Sequence, residues 1–196
     1  MATVVDAYCI SEGSNKETNH YIVSIRGSGL RYKPGDSLGF YPTNDSELVK
    51  QTIRKLGFSR KTIIKTKDVA ETTLEDALLH RFTIHRSGKK FFAAVVAKMK
   101  NGKEKDHLSG ILNDREKVDK HLFTRDCIDI LNENPVHFEP QEFIDLLSPI
   151  TPRLYSISSS PKVHPGEVHL TIAIVKYNNF DRDRFGLATG HLVNKN

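Results

Sequence analysis

Cysteine is scarce in this chain: Cys9 and Cys127 are the only two in 196 residues, and they lie far apart. No basic segment followed by an apolar stretch opens the sequence, so no secretory leader is read there. The two cysteines are therefore expected to be free thiols of a reducing, cytoplasmic compartment. Neither has a neighbour that would activate it, so a catalytic cysteine is not expected. Long apolar runs are also missing: the longest, Phe91 to Ala97, is far too short to cross a bilayer. The nine histidines show no metal-ligand spacing and there is no Cys-x-x-Cys, so no metal site is expected. Internal repeats and low-complexity segments are absent. So is any RNA-binding signature with aromatics set among basic residues.

What remains is a chain with 38% hydrophobic residues, enough for one sizeable core or for one domain with an appended lobe. The net charge is +5, a balance compatible with nucleic acid, a membrane surface or an anionic ligand. The lysines are scattered. Their densest stretch, Lys98 to Lys105, reads as a solvated loop or helix end.

Strand-like segments dominate the first forty residues. Val4 to Ile10 and His20 to Ile25 are joined by a polar loop, Glu12 to Thr18. Lys33-Pro34-Gly35-Asp36 has the chemistry of a turn, and a third strand, Ser37 to Tyr41, follows it. Asn44-Asp45-Ser46-Glu47 then reads as a capped helix start. Leu48, Ile53 and Leu56 fall near one face, and Gly57 closes the helix. A second helix starts at Thr72 to Leu79. Phe91 to Met99 fits a helix or a buried strand, with helix preferred, and helices are also expected over Lys105 to Leu112, Glu116 to Phe123, Arg125 to Asn132 and Pro140 to Leu147. Strand character returns at Leu154 to Ser158. After the turn His164-Pro165-Gly166-Glu167, one long strand is expected from Val168 to Tyr177. Residues 178 to 184 read as a polar loop, and Gly186 to Leu192 as the opening of a helix. Strands, a long helical stretch and strands again predict one β domain (residues 1–43 and 149–196) interrupted by a helical lobe (44–148), not two consecutive domains.

One tetrapeptide stands out, Arg153-Leu154-Tyr155-Ser156, within Thr151-Pro152-Arg153-Leu154-Tyr155-Ser156-Ile157-Ser158. In an extended segment alternate side chains share a face, so Arg153 and Tyr155 lie together and Ser156 turns away. A fixed cation, a flat ring and a small hydroxyl suit a ligand with a phosphate end and a planar head. Each residue also has an ordinary reading: a salt bridge for Arg153, packing for Tyr155, a backbone-bonded hydroxyl for Ser156.

Three segments in order (153–156, 171–177 and 186–189) resemble the FAD-binding domain of the ferredoxin–NADP reductase superfamily, and more narrowly the diflavin reductases. Arg31-Tyr32-Lys33-Pro34-Gly35-Asp36-Ser37-Leu38-Gly39 and Leu147-Ser148-Pro149-Ile150-Thr151-Pro152-Arg153 look most like the sulfite reductase flavoprotein branch. Ser160-Pro161-Lys162-Val163-His164-Pro165 and Gly186-Leu187-Ala188-Thr189 look like the cytochrome P450 reductase branch, a close second. The resemblance implies an antiparallel FAD-binding β-barrel of the six-stranded type, with a large α-helical insertion and an incomplete C-terminal end.

It also implies that Arg153 binds the FAD pyrophosphate, that Tyr155 packs on the isoalloxazine face, and that Ser156 sits near flavin N5 as the nearest thing to a catalytic residue. Thr171, Ala173 and Tyr177 would offer backbone groups to the flavin ring. Gly186, Leu187, Ala188 and Thr189 would put helix-start amides on the pyrophosphate, with the Thr189 hydroxyl adding a bond. In such an oxidoreductase NADPH reduces FAD. Electrons then pass through FMN, held by a flavodoxin-like domain or protein, to a haem or iron–sulfur acceptor such as the sulfite reductase haemoprotein. The family's NADP-binding domain and the aromatic that covers the second flavin face find no match here, so the chain is expected to be a piece of a longer reductase that holds FAD more weakly. Two other readings stay open: a docking domain of the same family without FAD, and an anion- or nucleic-acid-binding barrel.

Overall fold

The computed structural model describes residues 2–67, 70–123 and 125–193. Residue 1 and residues 194–196 of the expected β domain, and 68, 69 and 124 of the expected lobe, lie outside them. In chain order, strands β1 (Thr3–Cys9), β2 (Thr18–Ser24) and β3 (Ser37–Phe40) come first. Helix α1 (Ser46–Leu56), the short strands β4 (Ile63–Ile64) and β5 (Thr72–Thr73), and helices α2 (Leu74–His80) and α3 (Lys89–Lys98) follow. Next are α4 (Lys103–Leu112), α5 (Arg115–Leu122), α6 (Cys127–Glu133) and α7 (Pro140–Leu146). The chain then runs through β6 (Arg153–Ser156), β7 (Glu167–Ala173), β8 (Lys176–Asn179), β9 (Arg182–Phe185) and α8 (Leu187–Val193). Two compact units emerge, Met1–Pro42 with Thr151–Asn196, and Thr43–Ile150. Among the described residues no helix is long and apolar enough to cross a membrane.

The first unit is antiparallel β structure. β1, β2 and β7 form one sheet in that order. Tyr21 and Val23 from β2 and Val168, Leu170 and Ile172 from β7 alternate onto a single face and build the core with Ile25, Ile174 and Leu192. β3 pairs with β6, Phe40 opposite Arg153 and Leu38 opposite Tyr155. Leu38, Phe40 and Tyr155 pack against the same core. An isolated bridge, Ile157 to Leu170, links the end of β6 to β7. Among the described residues the strands do not close into a ring, so the six-stranded barrel is seen only as antiparallel sheets in a mixed α and β chain.

Two sequence expectations fail here, for one reason. The strand expected over Val168 to Tyr177 breaks near Ile174. The N–H of Ile174 still donates to the Glu17 carbonyl, next to β2, but the Val175 carbonyl accepts from the Gly186 N–H, next to β9. The chain changes partners between two adjacent residues. The polar loop expected at 178–184 is instead the β8–β9 hairpin. Its two turn residues, Phe180 and Asp181, have φ of 52° and 55°. That is the mirror-image turn which matches strand twist and usually carries Asn-Gly, so Phe-Asp gave no signal.

The second unit is helical, as the periodicity predicts. Asp45 caps α1, accepting from the N–H groups of Glu47 and Leu48, and Gly57 ends it at φ 70°. Phe91, Phe92, Phe138 and Phe143 sit fully buried in its core. The two ends of this unit are tied to one segment. Asn44 Nδ2 donates to the carbonyls of Leu78 and Phe82, both at 2.6 Å. Phe82 bridges Pro149, and the Ile150 N–H donates to the Arg81 carbonyl at 2.7 Å. An insertion must return the chain close to where it departed, and these bonds offset the entropy of closing so long a loop. Replacing Asn44, only 3% exposed, by alanine strips two buried carbonyls of their donor. It should lower stability by about 1–3 kcal/mol in a denaturant titration; an unchanged midpoint would refute this pinning role.

Candidate functional site

The ladder pattern decides which backbone groups are available. In the β2–β7 pair the residues joined by hydrogen bonds alternate along the strand. Ile174 donates to Glu17 and Ile25 donates to Gly166. In the same register the bonded positions of β7 are therefore Val168, Leu170 and Ile172. The N–H and C=O groups of His169, Thr171 and Ala173 point to the opposite edge. At His169 that edge is filled: its N–H donates to Ser159 Oγ at 3.0 Å, and its carbonyl accepts from the Ser158 N–H at 2.9 Å. Beyond the Ile157–Leu170 bridge no ladder joins β6 to β7 among the described residues. That bridge takes the Thr171 N–H onto the Ser156 carbonyl, so among the described residues the open edge consists of the Thr171 carbonyl and the two backbone groups of Ala173, and Ser156 is the residue of β6 next to it. Tyr177 differs. The Gly186–Val175 bond sets the β8–β9 register, which turns the Tyr177 backbone toward Arg184.

β6 borders the same opening. Arg153 is exposed and has no ion-pair partner among the described residues, so the salt-bridge reading loses its support. Tyr155 is half-buried, and burial raises its phenol pKa above the ordinary value. Its ring stacks on Phe40, 5.7 Å between centroids at 13°. Phe40 stacks in turn on His191 of α8 at 5.9 Å. Ser156 is exposed, with a hydroxyl that makes no hydrogen bond among the described residues. Gly39 lies opposite Leu154, where a Cβ would come within 2.9 Å of the leucine methyl.

α8 is anchored at the same place. A Cβ on Gly186 would lie 3.1 Å from Val175 Cβ and 3.2 Å from Thr189 Oγ1, so only glycine fits without displacement. Thr189 is 3% exposed. Its hydroxyl donates to the Gly186 carbonyl at 3.1 Å, with the Val175 carbonyl at 3.4 Å. It fastens the helix to the β7–β8 junction and does not face outward. Leu187 is partly exposed and Ala188 is buried. Segment 186–189 thus touches Val175 of segment 171–177, and Tyr155 of segment 153–156 is linked to α8 through Phe40 and His191. Phe40 and His191 escaped the sequence reading, although Phe40 follows from the two-residue period of its strand. A separate cleft of about 210 Å³, lined by Leu30, Tyr32 and Ile157 among others, holds none of the expected site residues.

The donor set matches a flavin dinucleotide in kind: an unpaired guanidinium for phosphate, a half-buried aromatic plane, and an open edge of amides and carbonyls for a polar ring. The FAD binding domain family matches this chain over residues 1–191. The chain belongs to that family. FAD is accordingly its cofactor. Sulfite reductase (NADPH) flavoprotein alpha-component of Bacillus subtilis (strain 168) is 35% identical over 179 residues, 90% of this chain and 29% of the relative. The protein of that name from Photorhabdus laumondii is 33% identical over 183 residues, 93% of the chain and 30% of the relative. The one from Salmonella typhimurium (strain LT2) is 31% identical over 182 residues, again 93% and 30%. This FAD binding domain thus spans about a third of the curated relatives it matches, and the resemblance read from its motifs agrees with them.

Neither cysteine of this FAD binding domain is among the expected site residues. Cys127 is 1% exposed, and burial pushes its thiol up to about 12. Cys9 is exposed. At pH 8 a thiol reagent should modify Cys9 alone, with Cys127 reacting only after denaturation; mass spectrometry of the alkylated chain reads this directly. The unfolded thiol ionises near 9 while the folded one keeps its proton. This contribution to stability is complete below pH 9 and declines as pH rises toward 12.

Proposed function

We propose that the protein is the FAD-holding part of an NADPH-dependent oxidoreductase that relays electrons through FAD and FMN to a metalloprotein acceptor, of which the sulfite reductase haemoprotein is the best candidate. The names of the relatives support the reaction class. The single observation that carries the reading is the strand edge left open at the Thr171 carbonyl and Ala173, on the side of β7 that β6 and its unpaired Arg153 border. The cytoplasm is the compartment consistent with such a reaction and with free thiols.

Arg153 takes the pyrophosphate through its forked, permanently charged donors. Tyr155, backed by Phe40, offers its ring to the isoalloxazine, an offset contact worth about 0.5–1.5 kcal/mol beyond burial. Ser156 supplies a hydroxyl near the reacting edge, and Thr171 and Ala173 supply backbone groups. Tyr177 contributes through its side chain, because its backbone faces Arg184. Gly186, Leu187, Ala188 and Thr189 contribute through main-chain amides. Residues 1–43 and 149–196 act as the flavin domain and 44–148 as the connecting lobe, and the sheets close into a barrel in the complete reductase. Bound FAD supplies the redox chemistry, accepting electrons in pairs and releasing them singly; the protein sets its position and electrostatics.

The direct test is an absorbance spectrum of purified protein after addition of FAD and removal of the excess, with released flavin identified by chromatography. One FAD per chain is expected. A colourless protein that takes up no flavin would refute the reading and favour a docking domain.

A further inference from the structure

On the face of β7 turned away from the core, three imidazoles and a carboxylate meet although the sequence gives them no common spacing. His164-Pro165-Gly166-Glu167 is a turn with Pro at its second position and Gly at its third, φ 80°. The Glu167 N–H closes it on the His164 carbonyl at 3.3 Å, and the Gly166 carbonyl accepts from Ile25 at 2.9 Å, which fixes the turn to the end of β2. Glu167 and His169 are two apart on β7 and share a face. His20 lies on β2 opposite Thr171, diagonal to His169 on that same face.

The contacts follow from this placement. The rings of His164 and His169 are 4.2 Å apart between centroids. His169 Nε2 lies 3.4 Å from Glu167 Oε2, and its Nδ1 lies 3.1 Å from His20 Nε2. One ligand atom from each of His164, Glu167 and His169 falls within 4.8 Å of the other two. From these distances the geometry points to a divalent transition-metal site, with zinc as the ion, held by His164, Glu167 and His169 and oriented by His20.

Three observations carry this. The 3.4 Å separation is long for a hydrogen bond. It matches the edge of a tetrahedron whose metal–ligand bonds are about 2.0–2.2 Å. The donor set of two imidazoles and one carboxylate carries one negative charge and suits zinc, leaving a fourth position for water. A metal-binding imidazole ordinarily donates its other N–H to a fixed partner. His20 Nε2 is placed to accept from His169 Nδ1, which leaves His169 Nε2 with its lone pair for the metal. His169 is 9% exposed, while His164 and Glu167 are partly open to solvent, so an ion has a way in. Bound zinc would clamp the 164–167 turn onto β7. The site does not depend on flavin binding.

The test uses untagged full chain, stripped with a chelator and titrated with zinc chloride by calorimetry in the absence of flavin. One zinc per chain is expected. His164→Ala and Glu167→Gln should each weaken it at least tenfold, and His20→Gln about tenfold, with circular dichroism checking that each variant is folded. His137→Ala, an exposed histidine elsewhere, should leave zinc affinity unchanged. Cobalt(II) should develop the visible absorption of a four-coordinate ion in the parent and lose it in Glu167→Gln. Absence of stoichiometric zinc binding, or binding indifferent to both His164→Ala and Glu167→Gln, overturns the proposal and leaves a hydrogen-bonded imidazole cluster.

Discussion

Arg153→Ala is expected to weaken FAD binding about ten- to a hundredfold while leaving the fold intact. The side chain is exposed and makes no ion pair among the described residues, so its removal takes nothing from the core. Charge-assisted hydrogen bonds are worth about 1.5–3 kcal/mol each, and each 1.4 kcal/mol is a factor of ten in affinity. Arg153→Lys keeps the charge but loses the forked geometry, and should fall between parent and alanine variant. Quenching of flavin fluorescence on titration reads all three, and far-UV circular dichroism checks the fold. If Arg153→Ala binds FAD as tightly as the parent, the pyrophosphate is held elsewhere. The same assay at raised salt should weaken the parent more than the alanine variant, since one screened charge contact is gone.

Phe143→Ala should have the largest effect on stability. The ring is fully buried and touches three others: Phe91 at 5.6 Å, Phe58 at 6.3 Å and Phe138 at 6.4 Å. Truncation removes the transfer energy of the ring and leaves a cavity that its aromatic neighbours cannot fill without moving. A loss of about 3–5 kcal/mol follows, read as a lower denaturant midpoint. Phe123, 69% exposed with the Arg86 guanidinium 5.7 Å from its ring centre, is the contrast. Phe123→Ala should cost less than about 1 kcal/mol. Equal losses for the two variants would mean that the packing at Phe143 is not what holds the helical unit.

Much of this architecture was legible residue by residue. Asp45 and Gly57 bracket α1, and the strands Ser37 to Tyr41 and Leu154 to Ser158 were expected within one or two residues of where they lie. Such features depend on neighbours a few positions away. The β8–β9 hairpin was not legible, because Phe180-Asp181 adopts a turn whose usual residues are Asn and Gly. Nor was the break near Ile174: every residue from Val168 to Tyr177 suits a strand, and only the choice of partner divides it. Of the proposed site residues, Arg153, Tyr155 and Ser156 were singled out by side-chain chemistry. Phe40 and His191 were missed because each acts by stacking on a ring distant in sequence.

The amino-acid order by itself determined most of the helices and strands, the turn at 164–167 and the Arg-x-Tyr-Ser chemistry, since caps, periodicity and turn residues act over one to four positions. Only the tertiary structure decided that the Thr171 carbonyl and Ala173 offer an unpaired edge, that the Thr189 hydroxyl faces inward, and that His20 reaches His169 across 149 positions. Those outcomes belong to strand pairing, which compares distant segments and is settled by burial of a common face, a quantity no short stretch of sequence contains.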